Sequence, residues 1–163
     1  MATKRMRLDI ALQYDYLIVG ISSQMNEHRL GFNLNQSLGI DLKRLEDLPA
    51  YFEKEKKLRP FPLYTDNQNE NFKVCFILGC INLGVKLFPQ MKYCDYLFIY
   101  ENPSPDWNEE RIITAIRGIP NVQLARKLSS DEMKGINMVL VDLEMHLHDL
   151  KLAGKQEQKF EDS

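Results

Sequence analysis

The sequence lacks most of the marks by which a secreted protein or a common enzyme declares itself. Cysteine is scarce: Cys75, Cys80 and Cys94 are odd in number and form no C-x-x-C pair, so no disulfide framework, zinc motif or thioredoxin-like motif is read from them. They sit in apolar surroundings and are expected to be reduced core residues. No Walker loop, G-x-G-x-x-G or G-x-S-x-G is present, which removes the common nucleotide-binding and serine-hydrolase signatures. Long apolar runs are missing too. The longest, Val74 to Ile81 with Gly79 counted, falls far below the ~20 residues that span a bilayer. Asp9 and Asp15 interrupt the apolar stretch behind the basic N-terminus, and Leu17 to Ile21 is too short for a signal h-region. A cytoplasmic protein without membrane insertion is expected. Neither sign of charge dominates, with 21 Lys and Arg against 23 Asp and Glu, so no overall field draws the chain to nucleic acid or anionic lipid.

What is present is a chain of 163 residues, 44% of them apolar, long enough to bury a core without disulfide or metal. It reads as a single globular domain over residues 1–152, followed by a polar segment, 153–163, expected as a disordered tail. Tyr14 to Ile21 is aromatic, β-branched and apolar on both faces after Asp15, as a buried strand should be. Leu30, Leu34 and Leu38 then recur at helical spacing, with Asn26 or Ser23 as cap and Gly39 as stop. Within residues 41–57, the alternation of Leu48, Ala50 and Phe52 with Pro49 between them favours an edge strand over a helix.

Residues 59–66 and 72–80, joined by the polar stretch Asn67 to Asn71, read as a hairpin. Its second arm carries Phe76 and Leu78 on one face and Cys75 and Ile77 on the other, which places it inside a sheet. Tyr93 to Tyr100 is a second doubly apolar strand, ended by Asn102, Pro103 and Pro105. Asp106 and Glu109 make a capping-box pattern for a helix with Ile112, Ile113, Ile116 and Ile119 on one stripe, closed by Gly118 and Pro120. A strand from Val122 to Leu128 completes a strand-helix-strand unit, for which parallel neighbouring strands are expected. From Ser129 or Ser130, Met133, Ile136, Leu140, Leu143, Leu147 and Leu150 form a helical seam. Asp15 to Val19 and Asp95 to Ile99 match at an offset of 80, which raises the question of an internal duplication.

The expected fold is α+β: a mostly antiparallel sheet of about five to seven strands with three packed helices. A ferredoxin-like double strand-helix-strand arrangement is the alternative.

Residues 88–96, Phe-Pro-Gln-Met-Lys-Tyr-Cys-Asp-Tyr, resemble the signature Ile-Pro-Glu-x-x-x-Val-Asp-Tyr of the IPExxxVDY family, small proteins found chiefly in Bacteroidetes. Pro89, Asp95 and Tyr96 match outright, and the resemblance extends over roughly residues 5–140. Phe88, Gln90 and Cys94 depart from it; Gln90 lacks the charge that a family general base or metal ligand would need. The resemblance implies no activity. Physically, Pro89 presets a kink, residues 90–92 turn, and Asp95 stands where its carboxylate can accept turn N–H groups. The alternative is a carboxylate in an apolar wall acting as general acid or base, with Tyr96 or Lys92 beside it.

Three other clusters carry residues of functional interest. Glu144, His146 and His148 would share one side of a strand, but on a helix the two imidazoles diverge by about 200°. The helical reading therefore leaves no metal site and no cofactor is expected. Lys54, Lys56, Lys57 and Arg59 lie among Tyr51, Phe52, Phe61 and Tyr64, a mixture that single-stranded nucleic-acid platforms use. Glu53 and Glu55 dilute it, and a charged turn protecting an edge strand explains the same residues. The seam of Met133, Ile136, Leu140, Leu143 and Leu147 packs on the chain's own sheet or, if the other helices already cover that sheet, joins a two-fold dimer. The leading expectation is a non-catalytic interaction or structural protein, with an enzyme using Asp95 and nucleic-acid binding through residues 51–64 as alternatives.

Overall fold

The computed structural model describes residues 16–66, 75–101 and 107–161, with side chains as far as Leu150. Its centre is an antiparallel sheet of six strands: β1 (Tyr16–Ser23), β2 (Lys43–Arg44), β5 (Leu63–Asp66), β6 (Cys75–Gly79), β9 (Tyr96–Glu101) and β10 (Val122–Lys127). Their spatial order is β10-β1-β9-β6-β5-β2. Two small hairpins, β3 (Leu48–Phe52) with β4 (Lys57–Phe61) and β7 (Ile81–Asn82) with β8 (Val85–Lys86), stand outside it. The helices are α1 (Glu27–Leu38), α2 (Glu109–Arg117) and α3 (Ser130–Glu161).

The α+β expectation holds, and the alternative arrangement is its core. The strand β1 lies antiparallel between β9 and β10, and β9 lies antiparallel between β1 and β6. Each strand-helix-strand unit is therefore split by one strand of the other, which is the ferredoxin-like pattern. The strands flanking α2 run parallel as expected but are not neighbours, because β1 has taken the place between them. Beyond β6 the sheet is widened by β5 and β2.

Both faces of the sheet are covered, which is why β6 and β9 are apolar at consecutive positions. On one face Leu17, Val19, Ile21, Ile77 and Phe98 meet Leu30, Leu34 and Leu38 of α1 and Ile112, Ile113 and Ile116 of α2. On the other, Ile18, Phe76, Leu78, Leu97 and Ile99 meet Leu48, Ala50 and Phe61 of the β3–β4 hairpin and Ile136, Val139, Leu140 and Leu143 of α3. The seam thus packs on its own sheet. Ile136, Leu140 and Leu143 are buried there, and Met133 and Leu147, partly buried, pack against the same cluster. Helices α1 and α2 share the opposite face, so α3 closes a layer that would otherwise be open.

Several local expectations need correction. Residues 59–66 do not form one strand: the chain turns at Pro62, so that β4 pairs with β3 and β5 with β6, since proline supplies no N–H to continue a ladder. The helix α2 is capped by Asn108, whose side chain accepts from the Arg111 N–H at 2.9 Å; Asp106 and the turn over Asn67–Asn71 lie outside the described residues. The helix α3 continues to Glu161 through the segment expected as a tail. Lys, Gln and Glu there are good helix formers, opposed only by Gly154. The offset match is not a structural repeat. It equates Leu17 and Val19, which face α1 and α2, with Leu97 and Ile99, which face α3, and a true equivalence must keep side chains on one face.

Candidate functional site

The signature stretch forms a compact loop between β8 and β9. The Met91 N–H donates to the Phe88 carbonyl and the Cys94 N–H to the Met91 carbonyl, and Phe88, Met91 and Cys94 plug the face beneath α3. Pro89 is exposed at the turn. The loop then enters the sheet at Asp95, whose N–H donates to the Ile21 carbonyl while its carbonyl accepts from the Cys80 N–H, both at 2.9 Å. Its carboxylate Oδ2 accepts from the Ser23 N–H at 2.9 Å and lies 3.5 Å from Ser22 Oγ. Asp95 therefore ties the end of β1 to the start of β9 rather than capping its own turn, as the sequence suggested.

Its proposed catalytic companions are not assembled with it. Tyr96 follows Asp95 in an extended strand and so points to the other face; its hydroxyl donates to the Met25 carbonyl at 2.6 Å. Burial pushes its pKa up. Lys92 is exposed on the loop. Among the described residues, a cavity of about 190 Å³ opens between α1, α2 and the sheet, lined in part by Asp66, Cys75, Tyr100 and Trp107, and Asp95 does not line it.

Cys94 of the signature and Cys80 are free and buried with their sulfurs 3.8 Å apart. Burial, then the neighbouring Cys94, pushes the Cys80 thiol up, and burial pushes Cys75 to about 12. Cys75 and Cys80 are therefore protonated thiols at neutral pH and poor nucleophiles.

A polar cluster that the sequence reading passed over lies at the start of α3. The Glu132 carboxylate accepts two bonds from Arg126, at 3.0 and 3.1 Å, one from Tyr93 Oη at 3.0 Å and one from the Ser129 N–H at 3.0 Å. The Arg126 guanidinium lies over the Tyr93 ring, 4.3 Å from its centroid. Burial raises the Glu132 carboxyl, but the Ser129 N–H, Arg126 and Tyr93 outweigh it and hold the pKa below the usual value. Ser129-x-x-Glu132 was a readable capping box; its link to Tyr93 and Arg126 was not. Tyr93 also fills the space over Gly20, where a Cβ would come within 2.8 Å of the hydroxyl. Both oxygens of the Glu132 carboxylate are thus taken up inside the protein.

The paired histidines are on α3 and diverge. His146 Nε2 lies 3.1 Å from the Glu46 carbonyl, whereas His148 is exposed. Among the described residues no three His, Cys, Asp or Glu side chains gather into a metal-ligating group.

The basic cluster occupies the β3–β4 hairpin. Arg59 donates to Glu55 at 2.6 Å and stacks over Phe52; Lys57 lies 4.0 Å from the same carboxylate. Of the aromatics, Phe61 is in the core and Tyr64 is buried, while Tyr51 is 57% exposed. The stacking row that a nucleic-acid platform needs is therefore not formed. Residues facing away from the core carry a different pattern. Pro49 pairs with Pro60 and Tyr51 with Leu58, and all four are exposed. The hairpin thus has two apolar faces, one of them turned to solvent.

No protein-family model and no curated protein matches the chain. No helix among the described residues is long and apolar enough to cross a membrane.

Proposed function

We propose that this chain is a non-catalytic, cytoplasmic interaction protein, and that its relation to the IPExxxVDY family rests on Pro89, Asp95 and Tyr96. The observation that carries the reading is the solvent face of the β3–β4 hairpin, where Pro49, Tyr51, Leu58 and Pro60 stand exposed with no polar residue among them. A soluble hairpin with one face on a core fills its other face with polar residues unless that face has a use. The polar groups point the same way. No buried side-chain nitrogen or oxygen among the described residues lacks a partner, as in a core whose polar groups serve the fold. The Asp95 carboxylate holds a strand end.

The test is native mass spectrometry of the chain purified from its own host. A stoichiometric protein companion is the expected result. A chain carrying instead a small molecule that is lost in Asp95→Asn would overturn the reading.

A further inference from the structure

The identity of the partner surface follows from three features of the two small hairpins, and it rests on the reading of the chain as an interaction protein. The first is that the surface is a face and not an edge. Directly opposed residues in an antiparallel pair exchange both of their N–H···O bonds or neither. Pro49 and Pro60 have no N–H, so they form a non-bonded pair whose nitrogens point to the two outer edges. Neither edge offers a proton there, and the outward donors left on this ladder are the N–H groups of Tyr51 and Leu58, which disfavours strand addition. A partner is better placed across the side chains of Tyr51 and Leu58.

The second is that β7–β8 is held against the edge of β4 that borders this face. The Asn82 side chain donates to the outward Pro60 carbonyl at 2.7 Å, fixing the tip of β7–β8 against β4. At that tip stands Leu83, 89% exposed, with φ of 51° followed by Gly84 at 77°. Two successive positive φ values make a turn that asparagine and glycine favour. A leucine there is both strained and wetted, so neither folding nor solubility accounts for it.

The third is charge. Among the described residues Lys54 and Lys56 at the β3–β4 turn and Lys86 on β8 have no carboxylate within 4.0 Å, and because Glu55 is taken up by Arg59 and Lys57, only Glu53 of that turn stands against these three ammonium groups. A second copy would bring the same ammonium groups together across a two-fold axis. We infer that Tyr51, Leu58 and Leu83, rimmed by Lys54, Lys56 and Lys86, form a docking face for an amphipathic protein segment whose apolar residues are flanked by carboxylates. With one aromatic, Tyr51, beside two leucines, this face favours such a segment over nucleic acid, which would use stacked rings.

The full-length chain, labelled with nitrogen-15, is titrated with a leucine-faced peptide flanked by glutamates, with its lysine-flanked counterpart, and with a single-stranded RNA oligonucleotide. Saturable shifts at residues 49–60 and 82–84 with the glutamate peptide are expected. Binding should be about tenfold weaker for the lysine peptide at low salt. It should weaken about thirtyfold in Tyr51→Ser with Leu58→Ser, and the charge preference should reverse in Lys54→Glu with Lys56→Glu. Leu83→Asn should weaken binding while raising the melting temperature, a combination that a purely structural leucine would not produce. Absence of shifts at these residues, equal binding of the two peptides, or tighter binding of the RNA overturns the inference. A host complex that survives Tyr51→Ser with Leu58→Ser also removes this surface while leaving the interaction reading intact; absence of any protein companion removes the reading itself.

Discussion

The signature loop and the β3–β4 hairpin are built from similar materials, aromatic and aliphatic residues interleaved with charge, and they put them to opposite uses. In the loop, Phe88, Met91 and Cys94 are buried, and the one carboxylate, Asp95, is held by the Ser23 N–H. In the hairpin, the residues facing inward are equally well used, with Leu48 and Phe61 wholly buried. The outward residues are Pro49, Tyr51, Leu58 and Pro60, bordered by lysines. A motif that attracts attention in the sequence can therefore be wholly structural, while an unremarked alternation carries the exposed surface. The difference lies in what remains uncovered: the loop has buried its apolar residues and bonded its carboxylate, and the hairpin has not covered its outward apolar ones.

The contrast can be broken or sharpened by mutation. The largest effect is expected inside the layer that the loop and hairpin share with α3. Ile136→Ala should cost about 2–5 kcal/mol, measured by urea denaturation, with a midpoint independent of protein concentration; a concentration-dependent midpoint would place the α3 seam at a subunit interface. In the loop, Asp95→Ala should cost about 1–3 kcal/mol by leaving the Ser23 N–H unsatisfied. Asp95→Asn keeps an acceptor there and should recover most of that loss, an outcome that a catalytic carboxylate would not share in an activity assay.

Glu132→Gln should cost ~1 kcal/mol at pH 7, because it weakens charge-assisted bonds from Arg126. The sign follows from the lowered pKa: the carboxylate's contribution is complete above the ordinary value of 4.5 and fades as pH falls through the lower folded value. Wild type and Glu132→Gln should therefore converge in stability in acid, as thermal melts across pH would show. At the hairpins the expected changes are smaller and one is favourable. Leu83→Asn should stabilise by about 0.5–1 kcal/mol, by replacing a leucine in a left-handed turn. Tyr51→Ser with Leu58→Ser should change stability by no more than about 0.5 kcal/mol per site, since both side chains already face water.

Much of the fold was legible because burial leaves periodic traces. The runs Leu17–Ile21, Cys75–Leu78 and Leu97–Tyr100 are apolar at consecutive positions, and such runs belong to strands covered on both sides. Asn26 and Gly39 bracket α1 as their chemistry requires. The capping of α2 was misjudged because aspartate and asparagine two residues apart offer equivalent acceptors. The alternation Leu48, Ala50, Phe52 revealed the inner face of β3, and the complementary positions could have revealed the outer one. The Tyr93–Arg126–Glu132 cluster joins residues far apart in sequence, and no local pattern announces it.

The sequence by itself determined the α+β class, the type of most secondary-structure elements and the faces that had to be buried, because propensity and hydrophobic period act over a few neighbouring residues. Only the tertiary structure decided which strand lies beside which, that β1 separates β9 from β10, and that α3 covers the face left open by α1 and α2. It also decided that Asp95 binds a strand end and that Pro49, Tyr51, Leu58 and Pro60 remain uncovered. Those outcomes depend on contacts between distant segments, where competition for a limited buried surface selects the partner and adjacency in the chain does not.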